Sequence, residues 1–462
     1  MSGRPRNCGA PLLFKRGNMS PLIASSVVLA ALFSSCASDP GWVFEQARQD
    51  QPQGGVPVAP SGAQATDAPR QFPPQQPMLV PVAPAFSGRP VPMRPVPSGP
   101  PSYKYGAKFE PPDGRILHGM GQWPDGNRNY LAVLNDPALE PALRIFFMGV
   151  GEWPRSWDSR SQALETMVTD EVAAGHILHV SIALTGIDPG NNRMELPIDD
   201  QIANTGKYDD HIRYVARSIK NVGAPTFVRI GFEFSGKWND YHPYVYPRAY
   251  RKIVDIFREE KVDNAAFVWC WEATCPGDFD EHGKDGWRWY PGDEYVDWFA
   301  VDLFNQADLS GTPGRNGHLS GYGNVLKFLD MAEDHHRPVM IAESGAVNVN
   351  ITPDEEDGKR DWAAWFDPFF KLMATHPGIK AFFYCNSDWK HNRNAQEMGW
   401  GDGDISHNDY IAKMYALQMH DPVFMHKKDL PLLRDWKPLP VVEPRKDDTP
   451  PPRGRAAPAV GG

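Results

Sequence analysis

Short apolar runs alternate with helical patterns through the middle of this chain. The runs cover residues 116–120, 145–149, 177–184, 226–232, 265–271, 298–304, 338–342 and 380–384. Each is too short for a stable helix and is bounded by turn-forming or charged residues, which reads as a buried strand. Helical spacing fills most of the gaps, at 161–174, 202–221, 247–261, 324–335 and 359–375, and a last helix at 409–420 closes the series. In one of these Tyr250, Ile253, Val254 and Phe257 form an apolar stripe, with Arg251 and Glu260 on other faces. The first helix is the least marked and is placed around 135–144. Eight strands alternating with helices predict an α/β fold, a (β/α)8 TIM barrel, and not an antiparallel sandwich. An open doubly wound sheet fits less well, because no Gly-rich phosphate loop follows the first strand.

The two ends of the 462-residue chain have a different character. Arg4, Arg6, Lys15 and Arg16 precede an apolar run at 21–33 that is too short for a membrane span. It leads into Leu32-Phe33-Ser34-Ser35-Cys36, which resembles a bacterial lipobox and implies cleavage before Cys36 and acylation of that cysteine. Residues 1–36 are therefore expected to be a lipoprotein signal. Residues 37–111 are rich in Pro, Gln, Ala, Val and Gly, a composition with too little apolar surface to offset chain entropy, and are expected to be a disordered spacer. A second Pro-rich stretch, 440–462, is expected to be a disordered tail. That leaves 112–439 as one catalytic barrel, in keeping with the ~250 residues or more that such barrels occupy. The expected location is outside the cytoplasm, periplasmic or at the cell surface, with the membrane reached through the lipid anchor and the barrel itself monomeric.

Charge and cysteine content narrow the partners. The formal net charge is −10 and no Lys/Arg cluster is interleaved with aromatics, so nucleic acid is not an expected partner. Cys8 would leave with the signal and Cys36 would carry lipid, leaving Cys270, Cys275 and Cys385, for which three buried thiols are expected, with a Cys270–Cys275 bridge across a loop as the alternative. No cysteine spacing matches a structural zinc site. Two acidic stretches, 278–285 and 401–404, lack the terminal glutamate of a calcium loop and are expected to be solvated surface loops, so no metal is assigned.

Glu233 and Glu343 carry the candidate chemistry. Glu233 lies in Phe-Val-Arg-Ile-Gly-Phe-Glu-Phe-Ser-Gly-Lys-Trp at 227–238, and Glu343 in Pro-Val-Met-Ile-Ala-Glu-Ser-Gly at 338–345. Counting runs puts them at the ends of the fourth and seventh strands, on the rim where a parallel barrel mounts its catalytic groups. Two facing carboxyls are the minimum kit for cleaving a glycosidic bond. A separation of ~5–5.5 Å would imply a covalent glycosyl-enzyme and retention of configuration.

The surroundings of Glu233 resemble family 26 of the glycoside hydrolases, where an arginine precedes the acid/base by four residues and a small residue, a glycine and then a tryptophan follow it. Arg229, Ser235-Gly236 and Trp238 match in that order. Ile341-Ala342-Glu343-Ser344-Gly345 resembles the nucleophile strand, and 383–389 resembles the last strand, so the likeness spans roughly 112–425. It implies Glu233 as acid/base and Glu343 as nucleophile. One departure stands out. Mannanases of this family usually carry histidine just before the acid/base, and Phe232 stands there. Mannan is weakened as a substrate, and any support for the carboxylates must come from elsewhere.

Position along the strands suggests the remaining site residues. Arg229 is expected to point at the barrel mouth and orient the nucleophile, and His118 to reach a sugar hydroxyl. Trp238 and Trp389 are expected to cover sugar faces, as rigid aromatic rings do at little entropic cost. Trp271, Glu272, Phe304 and Asn386 are weaker candidates. The expected activity is that of an O-glycosyl hydrolase, β-mannanase- or β-glucanase-like, cleaving a β-linked polysaccharide without a cofactor. The alternatives are transglycosylation on the same scaffold and a catalytically silent barrel that binds polysaccharide at the cell surface.

Overall fold

The computed structural model describes residues 88–121, 123–151, 157–186, 196–283, 286–311, 321–347, 349–391 and 399–441. Cys36, the signal, most of the spacer and all but the first two residues of the tail lie outside them. Eight parallel strands follow one another around a closed barrel: β1 Ile116–Gly121, β2 Leu143–Gly149, β3 Ile177–Ala183, β4 Thr226–Ile230, β5 Ala265–Glu272, β6 Trp298–Leu303, β7 Val339–Ser344 and β8 Ile379–Cys385. Pairing of β8 with β1, with Leu117 opposite Ala381 and Gly121 opposite Cys385, closes the ring. The expected (β/α)8 barrel is present.

Side chains alternate between the barrel interior and the layer beneath the helices. On β5, Ala266, Val268 and Cys270 face inward, and Phe267, Trp269 and Trp271 face the helices. One break in that alternation matters later. Along β6 and β7, Val301 pairs with Ile341 but Asp302 pairs with Glu343, so Ala342 is skipped by a β-bulge. Met340 and Ala342 already face inward, and strict alternation would send Glu343 out towards the helices. The extra residue turns it inward, as bulges beside active sites do.

The connections carry α1 Pro124–Leu134, α2 Trp157–Ala173, α3 Asp199–Asn204, α4 Asp209–Val222, α5 Tyr246–Glu259, α6 Gln306–Ser310, α7 Tyr322–Asp334, α8 Glu355–Asp361, α9 Asp367–Thr375 and α10 Asp409–Met419. Helix α4 shows the local logic. Ile212, Val215, Ala216 and Ile219 form its buried stripe, Asp209 and Asp210 open it, Lys220 lies in its last turn, and Gly223 ends it at φ 72°. Between β5 and β6 the described residues contain no helix, and a small hairpin pairing His282–Gly283 with Gly286–Trp287 lies in that crossing.

Three expectations about the elements need correction. The first helix is Pro124–Leu134, and the stretch 135–144 holds a single 3-10 turn at Pro137–Leu139 and the first two residues of β2. Its start was concealed by the polar Pro-Asp-Gly-Asn, although proline at the first helical position with Asp125 in the first turn is a proper start signal. The helix expected at 202–221 is two, broken by Gly206. That at 359–375 is interrupted by a π-turn over Trp362–Phe366.

The spacer boundary at 111 also moves. Residues 88–111 form an extended strap packed on the end of the barrel opposite the mouth. Phe109 meets Phe227 edge-on with ring centroids 5.9 Å apart, and the Trp298 indole donates to the Lys108 carbonyl at 2.8 Å. Lys380, buried at the start of β8, is paired with Glu110 at 3.1 Å and Asp113 at 2.9 Å. A buried charge is tolerable only with such partners. Average composition hid this, because a few widely spaced residues among the prolines, Val91, Tyr105, Ala107 and Phe109, do the packing and are each buried.

Candidate active site

Arg229 lies at the centre of the mouth. It is the fourth residue of β4, faces the interior and is wholly buried. Its Nε donates to Ser181 Oγ on β3 at 2.9 Å. Its Nη1 reaches both oxygens of Asp302 on β6, at 3.1 and 3.0 Å, and its Nη2 donates to Glu343 Oε1 on β7. Phe232 and Phe147 lie 4.6 and 5.4 Å from the guanidinium carbon. One cation therefore ties four strands together and orients Glu343 within a dry interior, where such charge-assisted bonds are strong.

Glu233 is delivered by a turn that leaves β4 at Gly231. That glycine has φ 55°, and a Cβ on it would come 2.6 Å from the Tyr246 ring. Glu233 itself is left-handed, with φ 51°, a conformation costing roughly 1–2 kcal/mol for a residue with a side chain. The turn is held by the Asn239 amide, which donates to the carbonyls of Phe232 at 2.9 Å and Glu233 at 3.2 Å. The Trp238 indole donates to Glu233 Oε2 at 2.6 Å. Part of the Glu233 side chain is open at the mouth, yet its carboxyl is enclosed on its other sides. Burial, then repulsion from Glu343 and Glu272, pushes it well above the usual carboxylate range, against the opposing hydrogen bond from Trp238.

Two more acids complete the group. Asp302 is fully buried, and that burial outweighs the attraction of Arg229 and raises its carboxyl, helped by Glu343 and Glu233. Glu272, the last residue of β5 and 4% exposed, is pushed up to about 8, chiefly by burial. Carboxyls in unlike environments around one guanidinium are what acid/base chemistry with a separate nucleophile requires.

Residues 199–362 match the sequence model of Glycosyl hydrolase family 26. Over that stretch, which holds both Glu233 and Glu343, the chain is similar to that family. Among curated relatives, a β-1,3-xylanase of Vibrio sp is 27% identical over 247 residues, covering 49% of this chain and 50% of its own length. A β-1,3-xylanase of Alcaligenes sp is 24% identical over 255 residues, covering 50% of this chain and 51% of its own. The chain thus spans about half the length of the curated relatives it matches. Among solved structures, a double mutant of a Cellulomonas fimi endo-β-1,4-mannanase has 15% sequence identity and a TM-score of 0.47, covering 71% of this chain and 78% of that one.

Within this barrel the site residues expected from sequence divide. Glu233, Glu343 and Arg229 converge on the mouth. Trp238 is there as well, with its indole N–H on the Glu233 carboxyl. Phe304 and Trp389 form an aromatic wall with Trp400: Phe304 stacks on Trp400 at 5.2 Å, and Trp389 meets Trp400 edge-on at 5.1 Å. Gly345, two residues past Glu343, leaves room for the Trp389 ring, which would lie 3.2 Å from a Cβ there.

Three expected sugar contacts are corrected. His118 faces the helix layer, wholly buried, with Tyr130 Oη at 2.6 Å and His426 Nδ1 at 3.0 Å from its two ring nitrogens. Trp271 faces the helix layer too, packed on Phe279 and Phe328. Asn386 is a brace: its amide donates to the Gly126 carbonyl and to Asp404, and its oxygen accepts from Ile405 N.

The 401–404 stretch is not the solvated loop expected either. Asp402 and Asp404 are each 3% exposed, and Asp404 accepts from Asn129, Asn386 and Ser406. Asp388, Asp402 and His407 bring ligand-type atoms within 4.8 Å of one another, and the Lys390 ammonium stands 3.2 Å from Asp402. Cys270, Cys275 and Cys385 are buried free thiols.

Sequence reasoning missed Asp302, Ser181, Phe147 and Trp400. A single acid inside Trp-Phe-Ala-Val-Asp-Leu-Phe was the available signal for Asp302. Phe232, which replaces the usual mannanase histidine, covers a face of Arg229, and the hydrogen bond to the acid comes from Trp238.

Proposed function

We propose that this chain is a retaining endo-β-glycosidase working by double displacement. The observation that carries the reading is the convergence of two carboxyls on the mouth: Glu233, pushed well above the usual carboxylate range by burial, and Glu343, which takes a hydrogen bond from the buried Arg229 guanidinium. Glu343 attacks the anomeric carbon, the bond to the departing sugar oxygen breaks, and the Glu233 proton passes to that oxygen. Water then gives a proton to Glu233 as its oxygen attacks the same carbon, and Glu343 is released. The steps balance without a cofactor.

The substrate proposed is a β-linked xylan. Two relatives named as β-1,3-xylanases support it, as does Phe232 in the place of the histidine usual in mannanases. The test is a panel of β-1,3-xylan, β-1,4-xylan, mixed-linkage glucan and β-mannan, with product sizing and NMR of the first-formed anomer. Turnover on the xylans, β-configured products, and loss of at least about a thousandfold in Glu343→Ala and Glu233→Gln are expected. Azide should rescue Glu233→Ala on an activated aryl glycoside and leave Glu343→Gln inactive. Inverted products, or ordinary activity in either glutamate variant, would refute the mechanism.

We further propose that the protein is exported and anchored through lipid on Cys36, with the barrel acting as a monomer. Labelled fatty acid should enter the wild type and not Cys36→Ala.

A further inference from the structure

Glu272 has no part in the two displacement steps, yet it is built into the same mouth. Its neighbours are arranged around one of its oxygens. Oε2 accepts from the Thr274 amide at 2.8 Å, from the Thr274 hydroxyl, and from the Cys275 thiol at 3.6 Å. Oε1 meets no protein partner among the described residues and is not sealed from solvent. The alternation along β5, with Val268 and Cys270 inward, aims it into the mouth and not at the helices.

The loop of Glu233 packs directly on this corner. Phe234 N donates to the Cys270 carbonyl at 3.3 Å and Ser235 Oγ to the Pro276 carbonyl at 3.3 Å. Among the described residues, the titratable groups that act most strongly on Glu272 or are acted on by it are Asp308, Asp302, Glu233 and Cys275, all acids or thiols.

We propose that Glu272 is a substrate-positioning residue whose Oε1 donates a hydrogen bond to an oxygen of the sugar bound beside Glu233. The inference rests on the glycosidase reading above. Three donors on Oε2 make that oxygen the acceptor, so a proton on this carboxyl belongs on Oε1, where no described residue receives it. Burial among acids, which pushes the group up to about 8, keeps that proton in place through neutral pH. A neutral carboxyl donor of this kind supplies orientation without adding a charge beside the acid/base.

The test measures kcat and KM from pH 5 to 9 on whichever polysaccharide the wild type cleaves. Glu272→Ala should raise KM about tenfold and leave kcat within about threefold, the loss of one well-placed hydrogen bond. Glu272→Gln can keep an acceptor towards Thr274 and a donor at the Oε1 position, so it should bring KM back to within about threefold of wild type. Wild-type KM should climb above about pH 8, and that of Glu272→Gln should not. Should Glu272→Ala fail to fold, Thr274→Val keeps the carboxyl and removes a donor that favours its ionised form, so the climb in KM should move to higher pH. Wild-type KM in Glu272→Ala, a Gln variant no better than Ala, or the same alkaline climb in both would overturn the proposal and leave the glycosidase reading intact. No turnover by the wild type on any glycan would overturn both.

Discussion

Replacing Trp238 by Phe keeps an aromatic ring over Gly236 and removes one thing, the N–H that donates to Glu233 Oε2 at 2.6 Å. A donor to a carboxylate stabilises its ionised form and lowers its pKa, so the carboxyl should bind its proton more tightly in the variant. A hydrogen bond to a charged group contributes about 1.5–3 kcal/mol. Trp238 is only partly buried, which favours the lower end, and about 1.4 kcal/mol corresponds to one pH unit. Under the proposed mechanism the alkaline limb of kcat/KM reports loss of the acid's proton in the free protein. It should therefore move up by about one unit in Trp238→Phe. The assay is kcat/KM on a soluble substrate between pH 4 and 10, with folding monitored by near-UV circular dichroism at each pH. A limb that stays in place, or moves to lower pH, would show that Trp238 does not set the protonation of Glu233. A higher KM with an unmoved limb would instead return the indole to the sugar-stacking role that its sequence position suggests.

Two further outcomes follow from buried contacts. Asp302→Asn sets an amide N–H against a buried Arg229 donor and should cost about 1–3 kcal/mol, the scale for leaving a buried donor unsatisfied, read by urea denaturation. Activity should fall at least tenfold, since Arg229 orients Glu343. Asn386→Ala removes three hydrogen bonds between β8, α1 and the loop before α10. The midpoint of thermal unfolding should drop by several degrees with KM unchanged, and a large rise in KM at normal stability would restore Asn386 as a sugar ligand.

What could be read from the sequence was the spacing of strands and the identity of the residues at their ends. Glu233, Glu343 and Arg229 were legible because each is a charge in or beside an apolar run, where burial demands a purpose. The facing of a side chain was much less legible. His118 and Trp271 lie on strands buried on both faces, so no polar side of the pattern marks which residues look inward. Glu343 was correctly placed at the mouth by its position in the strand, although alternation alone would have turned it outward, and the bulge that re-aims it leaves no mark in Val-Met-Ile-Ala-Glu. Asn386 and the 401–404 loop depend on partners up to hundreds of positions away, among them Gly126 and Asn129. Asp302 was overlooked because its partner, Arg229, had been assigned to the nucleophile alone.

The strap beneath the barrel bears on how the protein can be cut for laboratory work. A fragment begun at residue 112, where composition suggests the folded part starts, discards Glu110 and strips Phe109 from the Phe227 ring. Lys380, 2% exposed, would keep Asp113 but lose its fully buried counter-charge. The exposed floor would then gather copies together or admit solvent from below, far from the sugar-facing rim. Cloning boundaries set upstream of Val91, which exchanges two hydrogen bonds with Gln418 of α10, keep the base of the barrel closed.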